Sequence, residues 1–122
     1  MIKPEERSNV HQFILLDMAV KSLQNDYDKL GSLKMSKVYI EIVDVLLKVI
    51  RPDYYNKKRM LAKQKIEVVK WINIDQYFSD VVVKNPGEDV VLRYAKQALK
   101  TQVENLIFQY LKEISDNANT KK

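Results

Sequence analysis

The stretch KIEVVKWINIDQYFSDVVVK, residues 65–84, decides how this chain folds. It is rich in Val, Ile, Tyr, Phe and Trp and contains neither Gly nor Pro. Ile66, Val68 and Ile72 alternate with Glu67, Val69, Trp71 and Asn73. β-branched and aromatic residues pack well on a pleated surface, so the stretch predicts strands. Asn73 to Gln76 is a turn-forming run, and the expected element is a β-hairpin of 66–72 and 77–83. A short helix through IDQYFSDVVV is the competing reading, and it would make the domain an all-α bundle. A lone hairpin is marginal in water, so these strands must lie on helices.

The flanking segments supply those helices. Phe13, Leu16, Val20, Leu23, Tyr27 and Leu30 recur at spacings of three and four, which places them on one helix face. Asn9 with Gln12 resembles a capping box, and Gly31 suits a left-handed helix end. The first helix is therefore expected over about 9–30. Ser36 is a good N-cap for KVYIEIVDVLLKVI. Two apolar stripes run along that segment: Tyr39, Val43, Leu46 and Ile50, and Val38, Ile42, Val45 and Val49. A helix apolar on most of its circumference is packed from more than one side, so this one is expected to be central. Pro52 removes a backbone donor and is expected to kink it, with helix continuing to about residue 65. NPGE at 85–88 reads as a helix start, with Asn85 as cap, Pro86 in the first turn and Glu88 bonding back. A third helix follows to about residue 115, burying Leu92, Ala95, Leu99, Val103, Leu106, Tyr110 and Ile114. Residues 1–8 and 116–122 are expected to be flexible tails of a single domain. The expected class is mainly α (α+β).

The composition narrows the function classes. Without cysteine there is no disulfide, thiolate nucleophile or cysteine-ligated metal. The N-terminus MIKPEERSNVHQF has no apolar signal region, and the densest apolar run, Val38 to Ile50, carries Glu41, Asp44 and Lys48. A cytoplasmic protein without membrane contact is expected. The single histidine, His11, reads as exposed or capping. Glu41 and Asp44 share a helix face but read as an ordinary polar stripe rather than a metal site. No phosphate-cradling glycine loop or nucleophile elbow is present. No catalytic residue, cofactor or metal is assigned. Trp71, Tyr39, Tyr94 and Tyr110 are expected in the core.

The net charge of +5 is local. Residues 51–70 hold seven basic and two acidic side chains, while the other 102 residues hold fourteen of each sign. Within RPDYYNKKRMLAKQK, Arg51, Tyr55, Lys58, Ala62 and Lys65 lie within about 40° of one line, about 21 Å long on a helix. Lys57, Arg59 and Lys63 point elsewhere, and Tyr54 and Leu61 anchor the segment. A groove reader concentrates its cations on one face. A solvated outer face is therefore the expected role. Nucleic acid or an acidic protein is the alternative partner for Arg51, Tyr55, Lys57, Lys58, Arg59, Lys63 and Lys65.

LLDMAVKSLQND at 15–26, KQKIEVVKW at 63–71 and YAKQALKTQVENLIFQYL at 94–111, in this order, resemble small phage- and prophage-encoded proteins of Bacillus-like bacteria. Pro52 and the N-terminal extension depart from that pattern. The group has no established activity, so the resemblance implies a bacterial or phage cytoplasmic setting and no site residues. The expected function is a small non-enzymatic accessory or regulatory factor that docks a protein partner or forms a homodimer. A nucleic-acid-binding regulator using segment 51–70 is the alternative.

Overall fold

A computed structural model describes residues 2–120, leaving the side chains of 118–120 aside. The order of elements is α1 (Pro4–Lys29), a 3₁₀ turn (Leu30–Ser32), α2 (Ser36–Lys63), β1 (Glu67–Asn73), β2 (Phe78–Asn85), β3 (Glu88–Ala95) and α3 (Lys96–Thr120). Among the described residues three helices pack on one face of a three-stranded antiparallel sheet inserted between the second and third, which is the mainly-α mixed class the sequence predicts.

α1 starts five residues before the expected Asn9. Pro4 occupies the first helical position, where its missing N–H has no partner to lose, and the Lys3 N–H donates to Glu6 Oε1 at 3.1 Å. Glu5 and Glu6 also complement the positive end of the helix dipole. At the other end Gly31 does not take the expected left-handed conformation. The chain tightens into the 3₁₀ turn, closed by Leu33 N–H to the Leu30 carbonyl at 3.1 Å. α3 likewise runs past residue 115 to Thr120. The tail expected at 1–8 and 116–122 is thus helical over 4–8 and 116–120, while Met1, Lys121 and Lys122 lie outside the described residues.

α2 runs through Pro52 as one helix. The donor that proline lacks would have met the Lys48 carbonyl, and both residues are exposed, so water can take that bond. The helix ends in a Schellman motif. Ile66 N–H reaches the Leu61 carbonyl at 2.9 Å and Lys65 N–H reaches that of Ala62 at 3.0 Å, with Lys65 at φ +59. Leu61 and Ile66, the apolar pair of that motif, are both buried in one core cluster.

The sheet order is β1-β2-β3. A bulge at Val69 shifts the β1–β2 register between Val68↔Val83 and Lys70↔Val82. Their connection is closed by Asp75, whose Oδ1 accepts the N–H groups of Tyr77 and Phe78 at 2.7 and 2.9 Å. NPGE is not a helix start. Asn85 pairs with Glu88 across a two-residue hairpin turn, and Gly87 sits at φ +99. Proline at the first turn position and a positive-φ glycine at the second are what a type II turn requires. The segment after it, EDVVLRYA, is strand β3: Val90, Leu92 and Tyr94 face inward while Val91 and Arg93 face out. Leu92 is buried as expected, but from a strand.

Among the described residues two clusters form the core. Val10, Ile14, Leu61, Leu99 and the sheet residues Ile66, Val81, Val83 and Leu92 make the first. Leu16, Val20 and Leu23 of α1 with Val43, Leu46, Leu47 and Ile50 of α2 make the second, covered by Leu106, Ile107, Tyr110 and Ile114 of α3. α1 packs along both α2 and α3, which touch each other far less, so α1 is the central helix and α2 is not. The α2 stripe of Val43, Leu46 and Ile50 is buried, but Tyr39 and the second stripe are exposed. Trp71 is 40% exposed because β1 is an edge strand.

Candidate functional site

The basic segment occupies the second half of α2 and the turn after it. Its seven candidate contact residues do not share one surface. Arg51 is half-buried and lines a cleft between α1 and α2 together with Asp28 and Asp44, away from the other basic residues of the segment. Lys57 Nζ donates to Asn9 Oδ1 at 3.1 Å and ties α2 to α1. Arg59 donates to Asn56 within its own helix. Tyr55 is exposed and sits edge-on to Tyr54, ring centres 5.1 Å apart, while Tyr54 stacks on Phe13 at 5.5 Å. Burial, with Asp17 beside it, raises the pKa of the Tyr54 hydroxyl. Tyr54 and the buried Leu61 therefore anchor the segment as expected.

Lys58 and Lys65 do share a surface, although Lys65 has left the helix. Both line an open groove of about 690 Å³ between α1, the end of α2 and β1. Tertiary structure adds three lysines that sequence spacing did not: Lys21 from α1, Lys70 from β1 and Lys84 from β2. Asp17, paired with Lys21 at 2.9 Å, and Glu67 are the acidic groups of the lining. Lys63 is exposed outside this groove. Lys84 arrives through its cross-strand register with Glu67, which no local pattern encodes.

His11 is neither free on the surface nor a cap. Its ring stacks on Tyr94, centres 5.6 Å apart and planes 7° from parallel, and Nδ1 lies 3.0 Å from the Tyr94 hydroxyl. Burial raises the Tyr94 pKa. Tyr110, also pushed up by burial and by its hydrogen bond to Asp53, links α3 to α2. On the outer face of the sheet Arg93 grips Asp80 with Nε–Oδ1 2.8 Å and Nη2–Oδ2 3.1 Å, and this hydrogen bonding holds the Asp80 carboxyl below its usual range. Among the described residues no three acids or histidines are grouped as metal ligands. No helix among them is long and apolar enough to cross a membrane.

The second surface is apolar. Met35, Val38, Ile42, Val45 and Val49 are 58, 50, 43, 37 and 38% exposed. Spacings of four, three and four place Val38, Ile42, Val45 and Val49 in one stripe along the first half of α2, with Met35 just before its first residue. The stripe lies about 120° around the helix from the buried Val43–Ile50 face. A contiguous exposed apolar stripe of this kind marks an interaction surface more often than a solvated one.

Fold and surfaces together define a small α+β domain with two open faces, one basic and one apolar. The chain belongs to the YhjD protein family, whose model matches residues 1–115. No curated protein and no solved structure matches it. Membership assigns no chemistry, so function is argued from the two faces.

Proposed function

We propose that this chain is a non-enzymatic interaction factor that docks a protein partner along the exposed stripe of α2. The observation that carries the reading is the row Val38, Ile42, Val45 and Val49, which α1 and α3 leave open to solvent. Branched side chains in a row on a long helix are rigid at χ1, so they present a shaped surface at little entropic cost on binding. Such a face fits helix-on-helix or helix-in-groove recognition. The resemblance of residues 15–26, 63–71 and 94–111 to phage and prophage proteins supports an accessory or regulatory role in a bacterial cytoplasm. The test is a photo-crosslinking residue placed at position 42 in living cells, with the exposed Lys112 on α3 as control position. Discrete protein adducts at position 42 and none at 112 are expected. Absence of adducts at 42 refutes docking through this face.

A second reading rests on the lysine groove. Four lysines from four elements and Lys65 from the turn after α2 surround one concavity, with the half-exposed Trp71 at its edge. A groove of cations with an aromatic platform is the usual arrangement for single-stranded nucleic acid. Fluorescence anisotropy with mixed-sequence RNA and DNA tests it. Binding should weaken steeply with salt and fall with Lys58→Glu plus Lys65→Glu. Binding indifferent to both refutes the groove.

A further inference from the structure

Resting on the docking reading above, we infer that the occupant of the α2 stripe is a second copy of this chain, packed antiparallel about a two-fold axis. Three observations on the stripe carry this. The first is its pattern. Met35, Val38, Ile42, Val45 and Val49 fall at the alternating three- and four-residue spacing of a two-helix seam. The row ends at Val49, and Pro52 follows three residues on, inside the same helix.

The second is its self-complementarity. A two-fold axis crossing α2 between Val43 and Asp44 sets Ile42 opposite Val45 of the second copy and Val38 opposite Val49 of the second copy. Every apolar residue of the row from 38 to 49 then meets another one. An isologous contact needs this property, because the same surface must fit itself.

The third decides the direction. One edge of the stripe carries the exposed Glu41 and Lys48, seven residues apart. In an antiparallel pair that edge faces its own symmetry mate, so Glu41 approaches Lys48 of the second copy, and this occurs twice. In a parallel pair the same edge faces the opposite one, where Tyr39 and the buried Leu46 lie, and neither charge finds a partner. Like charges would not be opposed in either arrangement, but only the antiparallel one pairs them. Exposed pairs of this kind contribute little affinity and mainly set orientation.

The contact is short, about 16 Å from Val38 to Val49 at 1.5 Å per residue. It lies below the size of a standard stable interface, so a dissociation constant of roughly tens of micromolar is expected. Self-association is thus a concentration-dependent equilibrium of the folded chain.

Sedimentation equilibrium on the full chain, from about 1 to 300 µM, measures it directly. A monomer–dimer equilibrium is expected, abolished by Ile42→Ser with Val45→Ser while circular dichroism stays unchanged. Glu41→Lys alone should weaken the dimer roughly two- to tenfold, and Glu41→Lys with Lys48→Glu should restore it. Direction is read by disulfide trapping, which is clean because the chain has no cysteine of its own. Mixing Val38→Cys with Val49→Cys protein should give the mixed disulfide. Val38→Cys alone should not couple, because antiparallel copies hold those residues about 16 Å apart, beyond the Cα separation of roughly 5.5–6 Å that a disulfide spans. Val38→Cys coupling to itself overturns the antiparallel arrangement. A dimer that ignores the serine pair overturns the interface. A monomer at every concentration overturns self-association, while the docking reading survives if position 42 still yields adducts with a different protein.

Discussion

Replacing Gly87 by alanine tests the sheet itself, because the two readings of NPGE give opposite signs. In a helix start Gly87 would be an ordinary early position, and alanine would raise stability by up to about 1 kcal/mol. In the observed turn the residue sits at φ +99, and no atom lies within 4 Å of the position a Cβ would occupy. The cost of alanine is therefore conformational and not steric. Forcing an L side chain into that region costs roughly 1–2 kcal/mol, more than the entropy that alanine removes from the unfolded chain. With an unfolding entropy of about 2.1 cal/mol/K per residue, a chain of 122 residues loses about 4–8 °C in Tm. Thermal unfolding followed by the fluorescence of Trp71, the one tryptophan and a residue of the neighbouring strand, reads this shift. Gly31→Ala is the internal control. Gly31 lies in the 3₁₀ turn without a positive φ and with open space around it, so alanine there should hold or raise Tm. A Gly87→Ala protein as stable as wild type would refute the turn and the third strand with it.

Other expectations follow from single features. Lys65→Gly should raise stability by about 0.5–1 kcal/mol in urea unfolding, because glycine takes the left-handed end of α2 without strain. Ile50→Ala, at a fully buried site, should cost about 2–5 kcal/mol in the same assay, whereas Ile42→Ala on the open stripe of the same helix should stay within about 0.5 kcal/mol. Asp80→Asn should lower Tm at neutral pH and flatten its acid limb. The folded-state pKa of Asp80 is depressed by Arg93, so the pair stabilises above the unfolded carboxylate pKa, near about 4, and that stability is lost as pH falls through the lower folded value. Wild type and variant should converge in Tm at the acid end of the series. An unchanged gap there would show that the pair contributes nothing through its charge.

Much of the architecture was legible because its signals are local. Apolar spacing located α1, α2 and the body of α3, and β-branched density located the first hairpin. The misread elements each had two valid local solutions. Asn-Pro-Gly-Glu satisfies a helix cap and a type II turn equally well. The strand that follows the turn exists because Val90 and Leu92 can complete a sheet started by β2, and pairing partners are not written in the segment itself. The end of α2 had no glycine to announce it, since Lys65 bears the left-handed conformation. Of the basic segment, Lys58 and Lys65 line one groove, though not along a continuous helix. Arg51 turns into the cleft lined by Asp28 and Asp44, Lys57 and Arg59 bond Asn9 and Asn56, and Lys70 with the distant Lys21 and Lys84 completes the groove.

The amino-acid sequence by itself determined the mixed class, the three helical segments, the hairpin over 66–83 and the concentration of positive charge in residues 51–70. These depend on period, propensity and composition, which act within a few residues of chain. Tertiary structure alone decided that α1 is the central helix, that the second stripe of α2 stays open, and that five lysines share one groove. Those outcomes depend on which face each element turns to its neighbours. Burying Val43, Leu46 and Ile50 against α1 and α3 leaves Val38, Ile42, Val45 and Val49 uncovered, because both neighbours lie on the same side of a helix that has two apolar faces.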